Sequence, residues 1–438
     1  MVNVGRLLRH WRQRSGLTQT QVAEGICSRA HLSDLERGVR LPTAEVLAGL
    51  ADRLGIPVDD LVTAYLQAPV SYQQWLALAR LMAVRGEFAP AQRVIDATAA
   101  RIAAEPSADA RDRYRAEHLE TVAMLRFHQG SMEEALEAYQ QALVERLRTP
   151  SRRYVLARAY YQVGTVALTL GRRELAGSAL YEAFRIVQFL APGNTPEARD
   201  RVIDLHRRIV QNLGVTLLVD RKVHQAWVVY RQADEIWRRY DMREAWFRSL
   251  SMNRALAEMG TGHLDEARDL LQQVLDDDDL SADDRIGALN NLGVMARLAG
   301  EWKKAETYQR QAWELHQRSG TGIPRAICNE LARCALQRGD LAAAESWLTE
   351  ADRAGSVPGD PSLEIDTIWL RARLHREAGE AGTAVALIDA VLQQDDVPVT
   401  LRRCLLLERL RVALAMGVTE DIASLLDTLE ASLTQEAL

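Results

Sequence analysis

Between Thr18 and Arg40 the chain carries the residue types that read and hold nucleic acid. Arg29 can offer a fork of N–H donors to a base edge, Gln19 an amide that both donates and accepts, and Ser33 a hydroxyl. Ser28, Arg37 and Arg40 suit phosphate oxygens, and Thr18 and Ala30 complete the candidate DNA-binding set. Local charge agrees with this reading. Residues 1–40 hold seven arginines against Glu24, Asp34 and Glu36, a net of +4, in a chain whose formal net charge is −6. That balance excludes general nucleic-acid coating and points to one confined basic surface. Asp34, beside the proposed reading face, works against phosphate and limits non-specific binding.

A second polar set lies much further along the chain. Pairs of adjacent residues recur as Tyr161-Gln162, Gln211-Asn212, Met252-Asn253, Asn290-Asn291 and Asn329-Glu330, with asparagine in the same slot at 212, 253 and 291. A column of amides can hold an extended peptide backbone whatever its side chains. Asparagine is also a poor residue for a helix interior. The competing explanation is that these asparagines bond between neighbouring helices. Arg158, Arg208 and Arg333 stand about one turn from the slot. They can hold a carboxylate at a peptide end or form salt bridges between repeats, and both remain open. The candidate peptide-binding set is therefore Arg158, Gln162, Arg208, Asn212, Asn253, Asn290, Asn291, Asn329 and Arg333.

The elements that must position the first set are short helices. Leu7, Leu8 and Trp11 form an apolar stripe over Val4 to Arg14. Thr18 and Gln21 make a capping-box pattern that opens a second helix, Gly25 allows a break, and Ser28 caps a third helix through Leu32 and Leu35. Gly38 and Pro42 stop it. Thr43 caps a fourth helix to Leu54, and Asp59 to Leu66 makes a fifth. Val22, Leu32 and Leu35 face inward. Arg29, Ala30, Ser33 and Arg37 are left on a face the core does not need, as in a helix-turn-helix. A linker is expected at residues 67–71, because Pro69 bars the preceding residue from helix.

From Tyr72 onward the pattern is helical and periodic. Gly-x-x-x-x-Ala recurs at Gly86, Gly130, Gly171, Gly262, Gly300, Gly339 and Gly379, with degenerate copies at Arg221…Ala226 and Gly417…Ile422. Successive copies lie 38 to 50 residues apart, the signature of a solenoid of helix pairs. The glycine turns the chain with φ > 0 and the small residue admits a close neighbour. Nine pairs fill residues 72–438. Leu-Gly occurs at Leu213-Gly214 and Leu292-Gly293, and Gly164 follows Val163.

These motifs carry resemblances. Thr18-Gln19, Val22-Ala23, Ser28, Leu32-Ser33, Leu35-Glu36-Arg37-Gly38, Pro42 and Leu54-Gly55-Ile56 together resemble the Cro/C1-type (XRE) DNA-binding domain over residues 1–66. The shortened spacing in AEGICS is similar to the PlcR/NprR branch. The helix pairs resemble lengthened tetratricopeptide repeats, which implies an all-α fold. A five-helix domain is expected to precede a right-handed superhelix whose first helices line a concave groove. The combination resembles the RRNPP family of cytosolic peptide-responsive regulators. That resemblance implies a homodimer on double-stranded DNA with an inverted-repeat operator, and a short signalling peptide as ligand. It also leaves open two other roles. One is a scaffold or inhibitor binding a response-regulator protein, with a phosphatase-like activity as its extension. The other is a regulator whose repeats only dimerise.

The chain argues against other classes. No apolar run reaches the ~18 residues of a membrane span, and the N-terminus lacks an apolar signal core. Cys27, Cys328, Cys334 and Cys404 form no CxxC pair and suit packing in a reducing compartment. Asp276–Asp279 lacks the glycine and distal glutamate of a calcium loop. No phosphate loop, zinc-ligand spacing or nucleophile elbow occurs, so neither catalytic residues, metal nor cofactor are expected.

Overall fold

The structure is a computed structural model that describes residues 4–68, 71–149, 151–191, 195–240, 248–354, 362–394, 397 and 399–434. Regular structure among them is helical throughout: twenty-three helices and no strand. The chain divides into two compact units, Met1–Ala245 and Trp246–Leu438.

The first unit opens with α1 (Val4–Arg14), α2 (Gln19–Ala23), α3 (Arg29–Glu36), α4 (Ala44–Leu54) and α5 (Val58–Leu66). Their caps are the expected ones. Thr18 and Gln21 close a full capping box on α2, Ser28 accepts from the His31 amide, and Thr43 accepts from that of Val46. Each satisfies an amide that the first turn of a helix leaves without a partner. Leu8, Val22, Leu32 and Leu35 are buried, and Trp11 packs at the edge of the same core under Arg14.

Four helix pairs follow in this unit: α6 (Tyr72–Val84) with α7 (Phe88–Ala103), α8 (Ala108–His128) with α9 (Met132–Arg148), α10 (Arg153–Thr169) with α11 (Arg173–Val187), and α12 (Pro196–Val219) with α13 (Val223–Arg239). The second unit holds five more. They are α14 (Arg248–Gly260) with α15 (Leu264–Leu275), α16 (Ala282–Leu298) with α17 (Trp302–Ser319), α18 (Pro324–Gln337) with α19 (Leu341–Arg353), α20 (Ser362–Glu377) with α21 (Ala381–Leu392), and α22 (Val399–Met416) with α23 (Thr419–Thr434). The described residues thus form nine pairs, as the period requires.

The repeat signature does the two jobs assigned to it. Each signature glycine takes φ between 70° and 88°, and Arg221 takes the same left-handed region at 61° in the degenerate copy. The paired alanines, from Ala91 to Ala384, are buried. Ile422, in the last copy, is only half-buried. The Leu-Gly step has its own reason. A Cβ on Gly214 would lie 2.1 Å from the Tyr230 hydroxyl oxygen, and one on Gly164 would lie 2.6 Å from Leu180 Cγ.

The five N-terminal helices are not set apart from the repeats. Leu47, Leu50, Ile56, Leu61 and Tyr65 share one core with Trp75, Leu78, Met82, Val94 and Ile95 of the first pair. Arg85 pairs with Asp52 at 2.6 Å, and Arg93 pairs with Asp59. Pro69 and Val70, in the expected linker, lie outside the described residues. What the sequence reads as two bodies joined by a tether is, at their junction, a packed interface of α4 and α5 against α6 and α7.

Candidate functional site

The proposed reading face stands as a surface. Ser28, Arg29 and Ala30 are exposed at the N-terminus of α3, Arg37 and Arg40 are exposed at and beyond its C-terminus, and Ser33 is half-buried. Behind it sits a polar clamp that the sequence did not single out. Glu36 is buried, and its carboxylate accepts from Arg12 Nε, from Arg12 Nη2 at 2.9 Å and from Gln19 Nε2 at 2.9 Å. Burial alone would push this carboxyl up; the donors from Arg12 and Gln19 outweigh it and hold the pKa below the ordinary glutamate value. Arg12 also donates to the Leu17 carbonyl at 3.1 Å, so one guanidinium ties α1 to both ends of the corner. Gln19 therefore has its NH2 already committed, and its carbonyl oxygen is left to accept from a donor such as a base amino group. Arg53 donates to the Gln21 carbonyl at 2.9 Å and fixes α2 against α4.

Two of the predicted phosphate ligands are presently engaged. Arg37 pairs with Asp34 at 2.5 Å, and Arg40 lies 3.8 Å from the same carboxylate. Both arginines are well exposed, and such pairs contribute little. Phosphates can replace Asp34 at small cost.

For the second polar set the structure separates the residues that bridge repeats from those left open. Arg158 donates to Glu120 at 2.7 Å, and Arg146 donates to the other oxygen of that buried carboxylate at 2.9 Å. Arg208 pairs with Asp204 one turn earlier at 2.7 Å. Arg333 pairs with Asp366, lies 3.2 Å from Glu330, and stacks over Trp369. Of the two roles open to these arginines, salt bridging is the one formed here, across repeats for Arg158 and Arg333 and within α12 for Arg208. Asn329 is wholly occupied: it donates to the Leu363 carbonyl at 3.0 Å and to Asp366 at 3.1 Å, and accepts from Thr367 at 3.0 Å. Asn212 donates to Thr165 of the preceding first helix at 3.2 Å. For Asn329 and Asn212 the bonding between helices is real, so a peptide-only role does not describe them.

Other members remain unsatisfied. Among the described residues, the side-chain oxygens of Gln162, Gln211 and Asn290 and the Nε of Arg158 are buried without a hydrogen-bond partner. The Gln162 side chain faces the Tyr139 hydroxyl. Asn253 and Asn291 are half-buried, and among the described residues their amides take no hydrogen bond. Asn212 belongs to the first unit and Asn253, Asn290 and Asn291 to the second. Gln211, which sequence reading placed in the paired slot but not in the site, joins Gln162 as an open acceptor on the neighbouring first helix. Its signal was its position next to Asn212.

No group of His, Cys, Asp and Glu among the described residues could hold a metal ion. No helix among them is long and apolar enough to cross a membrane.

The parts define a class: a helix-turn-helix domain joined to tetratricopeptide-type helix pairs. A helix-turn-helix domain model matches residues 3–64 and a tetratricopeptide repeat model matches residues 285–319. Both describe binding modules rather than enzymes. Among solved structures, the fold is similar to the apo form of the quorum sensor NprR from B. thuringiensis, at 13% identity and a TM-score of 0.53. That likeness covers 86% of this chain and 100% of the other. It is also similar to a tetratricopeptide repeat protein from Parabacteroides merdae ATCC 43184, at 12% identity and a TM-score of 0.50, covering 67% and 98%. A Rap protein crystallised with competence and sporulation factor aligns over 87% of this chain and 99% of its own, at 14% identity and a TM-score of 0.46. No curated protein sequence matches the chain.

Proposed function

We propose that this protein is a sequence-specific transcriptional regulator of the RRNPP type, controlled by a short linear peptide bound along the first helices of its repeats. The DNA-binding half follows from the exposed face of α3 and the matched helix-turn-helix domain. The peptide half is carried by one observation. Gln162 on α10 and Gln211 on α12 each bury a carbonyl oxygen with no donor, and Arg158 buries an unused N–H nearby in sequence. Unpaired buried polar groups cost roughly 1–3 kcal/mol each, so their natural complement is a ligand with regularly spaced N–H and C=O groups. A peptide backbone is such a ligand. Asn253, Asn290 and Asn291 extend the same chemistry in the second unit.

A homodimer on an inverted-repeat operator is the assembly that fits one reading face per chain. The test is to purify the chain from its own cells, denature it and examine the released material by mass spectrometry. A short peptide is expected, its retention lost in Gln162→Leu combined with Gln211→Leu. Absence of any peptide, with operator affinity unchanged on adding a cell extract's peptide fraction, would overturn the peptide control and leave a regulator whose repeats only assemble it.

A further inference from the structure

A cavity of about 500 Å³ lies in the first unit between α11 and α13, above α12. Its floor is Leu213 and Leu217, and its walls include Val229 and Tyr181, the last of these 52% exposed at the rim. That size and apolar lining are those of a small-molecule site. It is built from second helices and the back of α12, so it shares none of the open amides described above.

Part of this space is left open because residue 177 is glycine. Gly177 is inside α11, its φ is not in the left-handed region, and an added Cβ would meet only Thr216 Cγ2 at 3.9 Å. Neither backbone conformation nor close approach asks for glycine here, and glycine disfavours a helix interior. The register sharpens the point. Six residues after the turn residue, seven of the other eight pairs carry a side chain no smaller than valine, among them Leu136, Trp227 and Val385; the terminal pair carries Ala423. Only this pair leaves the position empty.

Charge decides the kind of occupant. Arg173 and Lys222 at the mouth are balanced by Glu174 and Asp220, with Lys222 lying 3.5 Å from Asp220. Gln225 and Gln232 add uncharged donors and acceptors. We infer that this cavity binds an uncharged small molecule with an apolar body and a few hydrogen-bonding groups. An occupant would touch Thr216, whose hydroxyl donates to the Asn212 carbonyl at 2.6 Å, and so would bear on α12 beside its open amide.

The probe is 1-N-phenylnaphthylamine, an uncharged aromatic amine whose fluorescence rises in apolar surroundings, titrated against the full chain. One saturable site per chain is expected. Gly177→Leu should weaken it at least tenfold while circular dichroism stays that of the parent. Gly177→Val, a size the register accepts in another pair, serves if the leucine variant does not fold. Gly177→Ala should bind as the parent does and melt at a higher temperature. The sulfonated analogue 1-anilinonaphthalene-8-sulfonate should bind several-fold more weakly. No saturable site, or a site indifferent to both larger side chains, would overturn the cavity as a binding site; tighter binding of the sulfonate would overturn its ligand class. None of these outcomes touches the peptide reading, which concerns other residues.

Discussion

At Arg29 the proposed contact is direct, since its guanidinium is exposed at the first turn of α3. Arg29→Ala should cost about 1–3 kcal/mol on the specific operator and little on random DNA. Arg40→Ala should weaken all sequences alike and flatten the salt slope. Asp34 gives a third variant, and its ion pairs supply the physical reason for the role read from the sequence. Because its carboxylate draws in both Arg37 and Arg40, Asp34→Asn should raise non-specific affinity and steepen the salt dependence by about one phosphate contact. Gel-shift titrations over a range of salt measure all three. If Asp34→Asn left non-specific binding unchanged, the basic surface would lie elsewhere.

A second residue sets a pH limit. His206 on α12 is fully buried against Trp237, and desolvation, offset only in part by the Val187 backbone, lowers its pKa to about 4 from a usual value near 6.5. A depressed histidine pKa means that the unfolded chain takes the proton first. The neutral ring's contribution is complete above about pH 6.5 and is lost as pH falls from there toward 4. A shift of that size corresponds to about 3 kcal/mol. His206→Gln should therefore flatten stability between pH 6.5 and 4 in urea titrations, even though the variant starts less stable at pH 7. An unchanged slope would show that carboxylates alone govern the acid limb.

Elements were legible to the extent that their causes are local. Thr18 with Gln21, Ser28 and Thr43 mark helix starts within four residues, and the turn glycines mark ends in the same way. The contacts of long range were not legible. Glu120 draws Arg146 and Arg158 from 26 and 38 residues away, and nothing in its own surroundings announces that. Asn329 shows the consequence. Its place in the asparagine register suggested a ligand, yet its three hydrogen bonds go to α20. Asn329→Ala should lower the melting point, at about 1–3 kcal/mol for the buried groups left behind, and leave peptide affinity alone. Gly214→Ala tests the other packing feature. Its Cβ would overlap the Tyr230 hydroxyl, costing about 1–3 kcal/mol, and Tyr230→Phe in the same chain should recover part of it. If Gly214→Ala were neutral, the close approach of α12 and α13 would not depend on the missing side chain.

For the whole molecule, the junction between reading head and repeats matters most. A flexible tether would let the DNA-binding helices sample many orientations, and a ligand could act only by restricting them. Here Ile56, Leu61 and Tyr65 share a core with Leu78 and Met82, and Asp52 and Asp59 hold arginines of the first pair. Any rearrangement of α6 and α7 must then move α4 and α5 with them, which gives a ligand on the repeats a packed route to the reading face. The two parts should also unfold together. A fragment of residues 1–68 uncovers the sides of Ile56, Leu61 and Tyr65 that share the core with the first pair. It should be less stable than residues 1–104 by about 2–4 kcal/mol, reckoned from the ~1.5–3 kcal/mol of a fully buried apolar side chain. Urea midpoints followed by circular dichroism compare the two fragments. Light scattering on the same samples should find the shorter fragment monomeric, the full chain dimeric, and operator affinity restored only with the dimer. Equal midpoints for the two fragments would mean that the junction contributes no stability, and coupling through it would then have to be abandoned.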